Sequence, residues 1–323
     1  MRKLGSRGSP ALSKLGSRGS PLAMTQAHHV ARLLARATGA AELAIDSFVT
    51  SGDRIADRRL QDAGGKGLFT KELDEALLDG RIDAAIHSLK DLPTVMPEGI
   101  VLAAIPARED PRDAFISRKA KTLAQLPQGA VVGTASLRRQ AQALHLRPDL
   151  KIVTLRGSIQ TRLKRMEEGV MDATFLALAG LSRMNLTGHI TSLTDLEDMP
   201  PAPGQGALAV TCRADDAAMR EKLAKITVRE FETAVAAERG FLHALDGSCR
   251  TPIGALARLN GGMLHFLGEI LTPDGTERWR REDRLALGGD PIGDAAAFGR
   301  RIGAQVRAEA GEAFIQSLDK RGW

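Results

Sequence analysis

Between residues 14 and 213 the chain alternates short apolar runs with amphipathic ones, and no other feature limits its fold as much. Ile82–Ile86 and Ile100–Ile105 read as short strands without a polar face, as in a sheet covered on both sides. Val131–Val132, Lys151–Leu155 and Ala173–Leu178 repeat that character, and Glu42–Val49 reads as a further strand. Between them lie helical patterns. Thr25–Thr38 sets Val30, Leu33, Leu34 and Ala37 on one face, Leu68–Asp79 ends at Gly80, and Leu137–His145 and Ile159–Glu168 follow. This is the grammar of βαβ units, so an α/β fold with mostly parallel sheets is expected, two of them.

Two proline-marked stretches, PAREDP at 106–111 and PPAP at 200–203, sit between strand-like segments. If the chain leaves a first lobe at 106–111 and returns at 200–206, Ala207–Arg213 becomes a strand added back to that lobe. The expectation is domain 1 over 14–106 and 207–226 and domain 2 over 107–206, two lobes with a ligand cleft between them. After residue 228 the pattern changes. Val228–Leu245 is one long helix; Ile253–Leu259, Met263–Leu271 and Thr276–Leu287 read as strands joined by turns, and Pro291–Glu309 closes with a helix. Domain 3, over 227–323, is expected to be α+β with an antiparallel sheet.

Composition removes several function classes. Two cysteines among 323 residues, Cys212 and Cys249, leave no disulfide framework and no cysteine-rich zinc site, and no metal site is expected. No apolar run approaches a membrane span. The net charge of +6 suits an anionic partner, but 3% aromatic residues and no Tyr argue against stacking on single-stranded nucleic acid. KLGSRGSP at 3–10 recurs at 14–21, and no Asp or Glu precedes Glu42. Such a leader resembles a transit peptide, which leaves an organelle stroma open. A dispensable duplication over 1–13 on a cytoplasmic protein is preferred, because only the second copy runs into an amphipathic helix.

The basic residues fall at helix starts. Arg18 lies in LGSRGSP, Lys66 in GGKG, Ser136, Arg138 and Arg139 in VGTASLRRQ, and Arg156 and Arg162 around LRGSIQTRL. Free N–H groups and the positive end of the dipole make helix starts anion sites, and βα turns of a parallel sheet share one edge. Guanidinium groups converging there suit carboxylates. Arg138 and Arg139 can both reach a ligand only from a helix start. GGKG lacks the Ser or Thr of a phosphate-binding loop, and GQGA at 204–207 is no dinucleotide fingerprint.

AIHSLKDLPT, residues 85–94, puts His87, Ser88, Lys90 and Asp91 directly after a buried strand. Asp91 is either a turn cap or a carboxylate able to hold and pass a proton, and spacing alone does not separate the two. Cys212 lies mid-strand and reads as a buried hydrophobe. Cys249, in the loop LDGSCRTPIGA beside Arg250, is placed for nucleophilic chemistry.

GGKGLFTKELDEALL, AIHSLKDLPT, VGTASLRRQ, LRGSIQTRL, PAPGQGALAV and ERGFLHALDGSCRTPIGA together resemble the hydroxymethylbilane synthase (porphobilinogen deaminase) family in content, order and spacing, from about residue 14 to 260. The resemblance implies two lobes like those of periplasmic binding proteins and a third α+β domain. It implies a transferase that joins four porphobilinogen molecules on a dipyrromethane primer, held by a thioether to Cys249, and releases linear hydroxymethylbilane to a downstream cyclising enzyme. Asp91 takes the acid/base role, assisting loss of ammonia and stabilising the resulting azafulvene. Lys66, Ser88, Lys90, Thr134, Ser136, Arg138 and Arg139 correspond to primer contacts. Arg18, Ser20, Arg156, Arg162, Arg183 and Gln205 correspond to substrate contacts, with Arg18 chosen over Arg7 for its context. A monomer is expected. Two rivals remain in view: a two-lobed anion-binding protein without catalysis, which needs no thiol in a third domain, and a basic nucleic-acid binder, which rests on charge alone.

Overall fold

The computed structural model describes residues 14–40, 43–54, 69–247 and 251–320. Three sheets organise it. The first lobe holds β1 (Lys14–Arg18), β2 (Ala44–Phe48), β3 (Ala84–Ser88), β4 (Ile100–Ala104) and β10 (Leu208–Arg213), in the order β2-β1-β3-β10-β4. The second holds β5 (Asp113–Ser117), β6 (Val131–Gly133), β7 (Lys151–Val153), β8 (Ala173–Ala177) and β9 (Ser192–Leu193), in the order β7-β6-β8-β5-β9. The third is an antiparallel meander of β11 (Ile253–Asn260), β12 (Met263–Leu271) and β13 (Arg278–Ala286).

Parallel pairing is confined to one half of each lobe sheet. β1 pairs in parallel with β2 and β3, and β6 with β7 and β8, but β10 and β5 run antiparallel to both of their neighbours. The cause is the path of the chain. Where a helix carries the chain back over the sheet, the next strand is parallel. The chain instead leaves β4 for the second lobe and re-enters at the same end, so β10 must run against β4. The start of β10, Leu208, lies opposite the end of β3, Ser88; the start of β5, Asp113, lies opposite the end of β8, Ala177. The carboxyl ends of the parallel strands in both lobes therefore face the two crossings.

Helices cover both faces of the first sheet. Side chains alternate along a strand, so Ile86 packs with Val30 and Leu34 of α1 (Pro21–Thr38) and Met219 and Leu223 of α7 (Ala217–Ala224). Its neighbour Ala85 packs with Leu73 and Leu77 of α3 (Lys71–Leu78); a short α2 (Ser51–Arg54) precedes α3. The second sheet is filled the same way, with Ala143 of α4 (Leu137–Leu146) against Val132 and Phe175, and with Leu163 of α5 (Ile159–Glu167) and Leu181 of α6 (Leu178–Arg183) against Ala114 and Leu176. α1 begins a turn earlier than its periodicity suggests, because Ser20 caps it, accepting from the Ala23 N–H, and Pro21 suits the first turn.

The third sheet packs under α8 (Arg229–Ala244) and α9 (Pro291–Ala310), with α10 (Glu312–Lys320) closing one end. Phe241, Phe266 and Phe298 form its aromatic spine. The two long helices meet through glycines: a Cβ on Gly299 would collide with the Ala237 carbonyl, and one on Gly240 with that of Ala296. No helix of the described residues is long and apolar enough to cross a membrane.

The crossings, residues 105–112 and 200–207, lie side by side. The Glu109 N–H donates to the Gly206 carbonyl (3.3 Å), and the Arg108 Nε–H to the Gln205 carbonyl (2.9 Å). Gly206 has φ +88°, and any Cβ there would strike the Glu109 carbonyl, so glycine is required on both counts. Glu238 of α8 holds the pair. Fully buried, it accepts from Arg108 at both oxygens (2.7 and 3.1 Å), from the Gly204 N–H (2.7 Å) and from the Ala257 N–H of β11 (2.9 Å). One carboxylate thus joins both crossings to the third sheet. Glu238→Ala leaves a buried guanidinium and two N–H groups unpaired, and should cost about 3–5 kcal/mol. Urea unfolding against wild type measures it.

Candidate active site

The turns that follow the parallel strands collect at the crossings. β1 ends on Arg18, and Ser20 then caps α1. β3 ends on Ser88, followed by a single helical turn, Leu89–Asp91. β6 leads through Thr134 to Ser136, which caps α4 by accepting from the Arg139 N–H. β7 leads through Arg156 to Ser158, which caps α5 by accepting from the Thr161 N–H. β8 leads directly into α6, which ends on Arg183. Arg138 and Arg139 do sit at a helix start, as the ligand reading of that pair requires.

Several expected residues influence one another. Lys90 donates to the Gln205 side-chain carbonyl (3.3 Å) and lies within the electrostatic reach of Arg139, Asp91, Asp113 and Arg138. Loss of water, then the arginines, lower its ammonium to about 8 against the partial support of the two carboxylates. Arg162 is held at about 10 by burial and by repulsion from Arg139 and Arg156. Three guanidinium groups from two successive βα turns therefore crowd one place. Arg156 keeps Nη1 buried without a hydrogen-bond partner among the described residues. Arg162 points its Nε–H to the Gly157 carbonyl (2.9 Å).

Arg18 stacks over the Phe69 ring at 4.3 Å. Burial and, second, the Arg18 charge push the imidazole of His87 down to about 4, so it is neutral at pH 7, joined to the Thr211 hydroxyl (3.1 Å). Ser88 pairs with the Gln26 amide, and Arg183 donates to the Gly206 carbonyl (2.7 Å), reaching the second crossing. Asp91 is half-buried and has no hydrogen-bond partner among the described residues, which does not suit a turn cap.

Other expected residues are occupied within the protein. Ser20 and Ser136 cap their helices, and the Thr134 hydroxyl accepts from the Ser136 N–H (3.1 Å). Arg138 is buried and spends its terminal nitrogens on Asp113, Gln142 and the Pro200 carbonyl. Arg139 gives its own to Asp113 and the Phe175 carbonyl. Lys66 and Cys249 lie outside the described residues.

Asp113 escaped the sequence reading. It is 1% exposed, and burial alone would raise its carboxyl, yet Arg138 and Arg139 hold it well below the usual range. Gln205 adds a third bond to it (2.9 Å). In sequence it is an Asp after a proline-marked hinge, where a turn residue is the ordinary reading. A second missed feature is Glu269 of β12, buried, which accepts from Gln142 (2.8 Å); Gln142 in turn accepts from Arg138 (2.9 Å). Hydrogen bonds, buried except for the part-buried last one, thus run from the third sheet through Gln142, Arg138, Asp113 and Gln205 to Lys90.

Cations at helix starts are doubly unfavourable, repelled by one another and by the positive dipole end. The site is therefore built to take anions, several at once, with one uncommitted carboxylate beside them.

Residues 13–221 match the family described as porphobilinogen deaminase, dipyromethane cofactor binding domain, and residues 232–308 match porphobilinogen deaminase, C-terminal domain. The chain is 59% identical over 270 residues to a porphobilinogen deaminase from Caulobacter vibrioides, covering 83% of each chain. It is 52% identical over 325 residues to one from Phenylobacterium zucineum, covering 97% of this chain and 98% of that one. Among solved structures it is distantly similar to a periplasmic substrate-binding protein of an ABC transporter from Coxiella burnetii, with TM-score 0.42 and 18% identity over 67% of this chain and 92% of that one. The chain belongs to the porphobilinogen deaminase family.

Proposed function

We propose that the protein is a hydroxymethylbilane synthase, a transferase that condenses four porphobilinogen molecules head to tail. Each condensation releases one ammonia, and water finally frees the linear tetrapyrrole. The observation that carries this reading is the crowding of Arg139, Arg156 and Arg162, with Arg162 lowered to about 10 by burial and then by these neighbours, at the cleft edge that also holds Asp91. Each pyrrole ring of the substrate brings an acetate and a propionate. A growing chain therefore demands clustered cations more than it demands any other group.

The same donor set suits a dipyrromethane primer, a ligand with two carboxylates on each ring. The buried Nη1 of Arg156, without a hydrogen-bond partner among the described residues, is a donor suited to such an oxygen. In this reading the Cys249 thiol anchors the primer by a thioether, and Lys66, Ser88, Lys90, Thr134, Ser136, Arg138 and Arg139 form its surroundings. Arg138 acts mainly through what it holds, since its terminal donors are already engaged. When bound, the primer supplies the pyrrole end on which the chain grows.

The incoming substrate is held by Arg18, Ser20, Arg156, Arg162, Arg183 and Gln205. Asp91 gives a proton to the aminomethyl nitrogen as it departs as ammonia, and its carboxylate then faces the cation left on the methylene carbon. It later takes the proton from the ring carbon that has formed the new bond. In this reading the domains span 14–106 with 207–226, 107–206, and 227–323. The protein works as a cytoplasmic monomer and passes its product to a cyclising enzyme; the bacterial relatives give an organelle stroma no support.

Purified protein should carry the mass of two pyrrole rings on the peptide that contains Cys249, and Cys249→Ser should lack it. An unmodified Cys249 in active protein contradicts the anchor. Asp91→Ala should keep the primer yet lose about 10²- to 10⁴-fold in kcat, and normal turnover would remove Asp91 from its role. Lys90 loses its charge as pH rises through about 8. KM for porphobilinogen should climb above that pH, and Lys90→Arg, charged throughout, should flatten the climb.

A further inference from the structure

We infer that Asp113 is a positioning residue, a built-in counter-anion that holds Arg138 and Arg139 and, through Gln205, Lys90 in their binding geometry before any ligand carboxylate arrives. The inference rests on the reading of the cleft as a polycarboxylate site.

Asp113 stands where β5 begins, one residue beyond the first crossing, and is 1% exposed. An isolated carboxylate there would be too costly to keep. It persists because its oxygens are fully engaged. Oδ1 accepts from Arg139 Nη2 (2.6 Å) and Gln205 Nε2 (2.9 Å), and Oδ2 accepts from Arg138 Nη2 (2.8 Å). These bonds come from α4 and from the second crossing, so one side chain ties together parts of the chain that are 92 residues apart.

Two adjacent guanidinium groups at the start of α4 would repel each other and the helix dipole. Asp113 is the one carboxylate bonded to both of them, with Glu269 of β12 acting on Arg138 from farther off. The pair is thereby fixed from one side chain. Each arginine is also turned by a backbone carbonyl, Phe175 for Arg139 and Pro200 for Arg138, and each keeps a buried Nε without a hydrogen-bond partner among the described residues. Most of the rotamer freedom of both side chains is already gone, so a ligand that meets them need not remove it.

Gln205 carries the effect across the cleft. Its amide nitrogen donates to Asp113 and to the Pro111 carbonyl (2.7 Å), which leaves its oxygen turned to Lys90. The charged groups facing Lys90 are Asp91 on its own turn, Asp113, Arg138 and Arg139. Asp113 is one of only two carboxylates in that set. Removing its charge leaves Lys90 against two guanidinium groups with Asp91 alone in support, so the ammonium must become easier to deprotonate. A residue that merely stabilised the fold would not shift the titration of a lysine on the other lobe.

The test is Asp113→Asn in the loaded protein, which keeps size and removes charge. Lys90 ionisation is read by competitive acetylation against pH with peptide mass spectrometry, and kcat and KM for porphobilinogen are measured alongside. The Lys90 midpoint should fall relative to wild type, because one of its two supporting carboxylates loses its charge, and KM should rise roughly tenfold with a smaller change in kcat. An unmoved midpoint, or an unchanged KM, overturns the inference. If the Asp113→Asn chain does not fold, Gln205→Met leaves both ion pairs of Asp113 intact and removes the amide that bonds Asp113, the Pro111 carbonyl and Lys90. It must then alter the Lys90 midpoint, which loss of a substrate contact alone would not move, and a wild-type midpoint overturns the inference. Wild-type protein that turns over no porphobilinogen and carries no pyrrole mass defeats the functional reading itself, whatever the Lys90 titration shows.

Discussion

The carboxylate of Glu238 is the point on which the architecture turns. It takes four hydrogen bonds with no exposure to solvent, from Arg108 of one crossing, the Gly204 N–H of the other, and the Ala257 N–H of β11. A buried ion pair gains little over well-packed apolar groups, because desolvation offsets most of the attraction. What it contributes here is specificity. Only one arrangement of the crossings and the third sheet satisfies all four donors, and in it the carboxyl ends of β3 and β8 meet the same gap.

The cleft has a related design. Cations are gathered at positions where the backbone already favours anions, and they are kept in place by protein partners rather than by solvent. Arg139 leans on Asp113 and Phe175, Arg183 on Gly206, and Arg162 on Gly157. Such preorganisation lets a carboxylate bind without first ordering long side chains. It also separates two kinds of arginine: Arg156, which keeps a buried terminal nitrogen without a partner among the described residues, and Arg138, whose terminal nitrogens are engaged within the protein.

Much of this was legible in the residues. Apolar periodicity located α1, α4, α5, α8 and α9 to within a turn and the meander of the third sheet to within a residue or two. The proline-marked stretches located both crossings. β1 and β5 went unread: KLGSR offers two apolar residues and no β-branched one, and DAFIS is short and flanked by charge. The mixed direction of the lobe sheets was hidden because strand direction depends on where the chain re-enters, which periodicity does not encode. GQGA looked like a failed nucleotide motif, whereas Gly206 serves the close approach to Glu109. Candidate ligand residues were legible as motifs, since helix starts announce themselves by cap and spacing. Asp113, Glu238 and Glu269 were not, because a buried carboxylate is recognised only by the partners that tertiary structure brings to it.

The position of β10 bears on how the molecule comes into being. It fills the slot between β3 and β4, yet it is made only after all of the second lobe. On the ribosome, β3 and β4 have each other's sequence available early but lack the strand that joins them. Roughly a hundred residues must emerge before the first sheet can close, at a cost in loop entropy and with apolar strand edges open to wrong partners. The lobe that begins the chain is thus the later of the two to be completed, and the second lobe, threaded through its gap, can fold first as an independent insert.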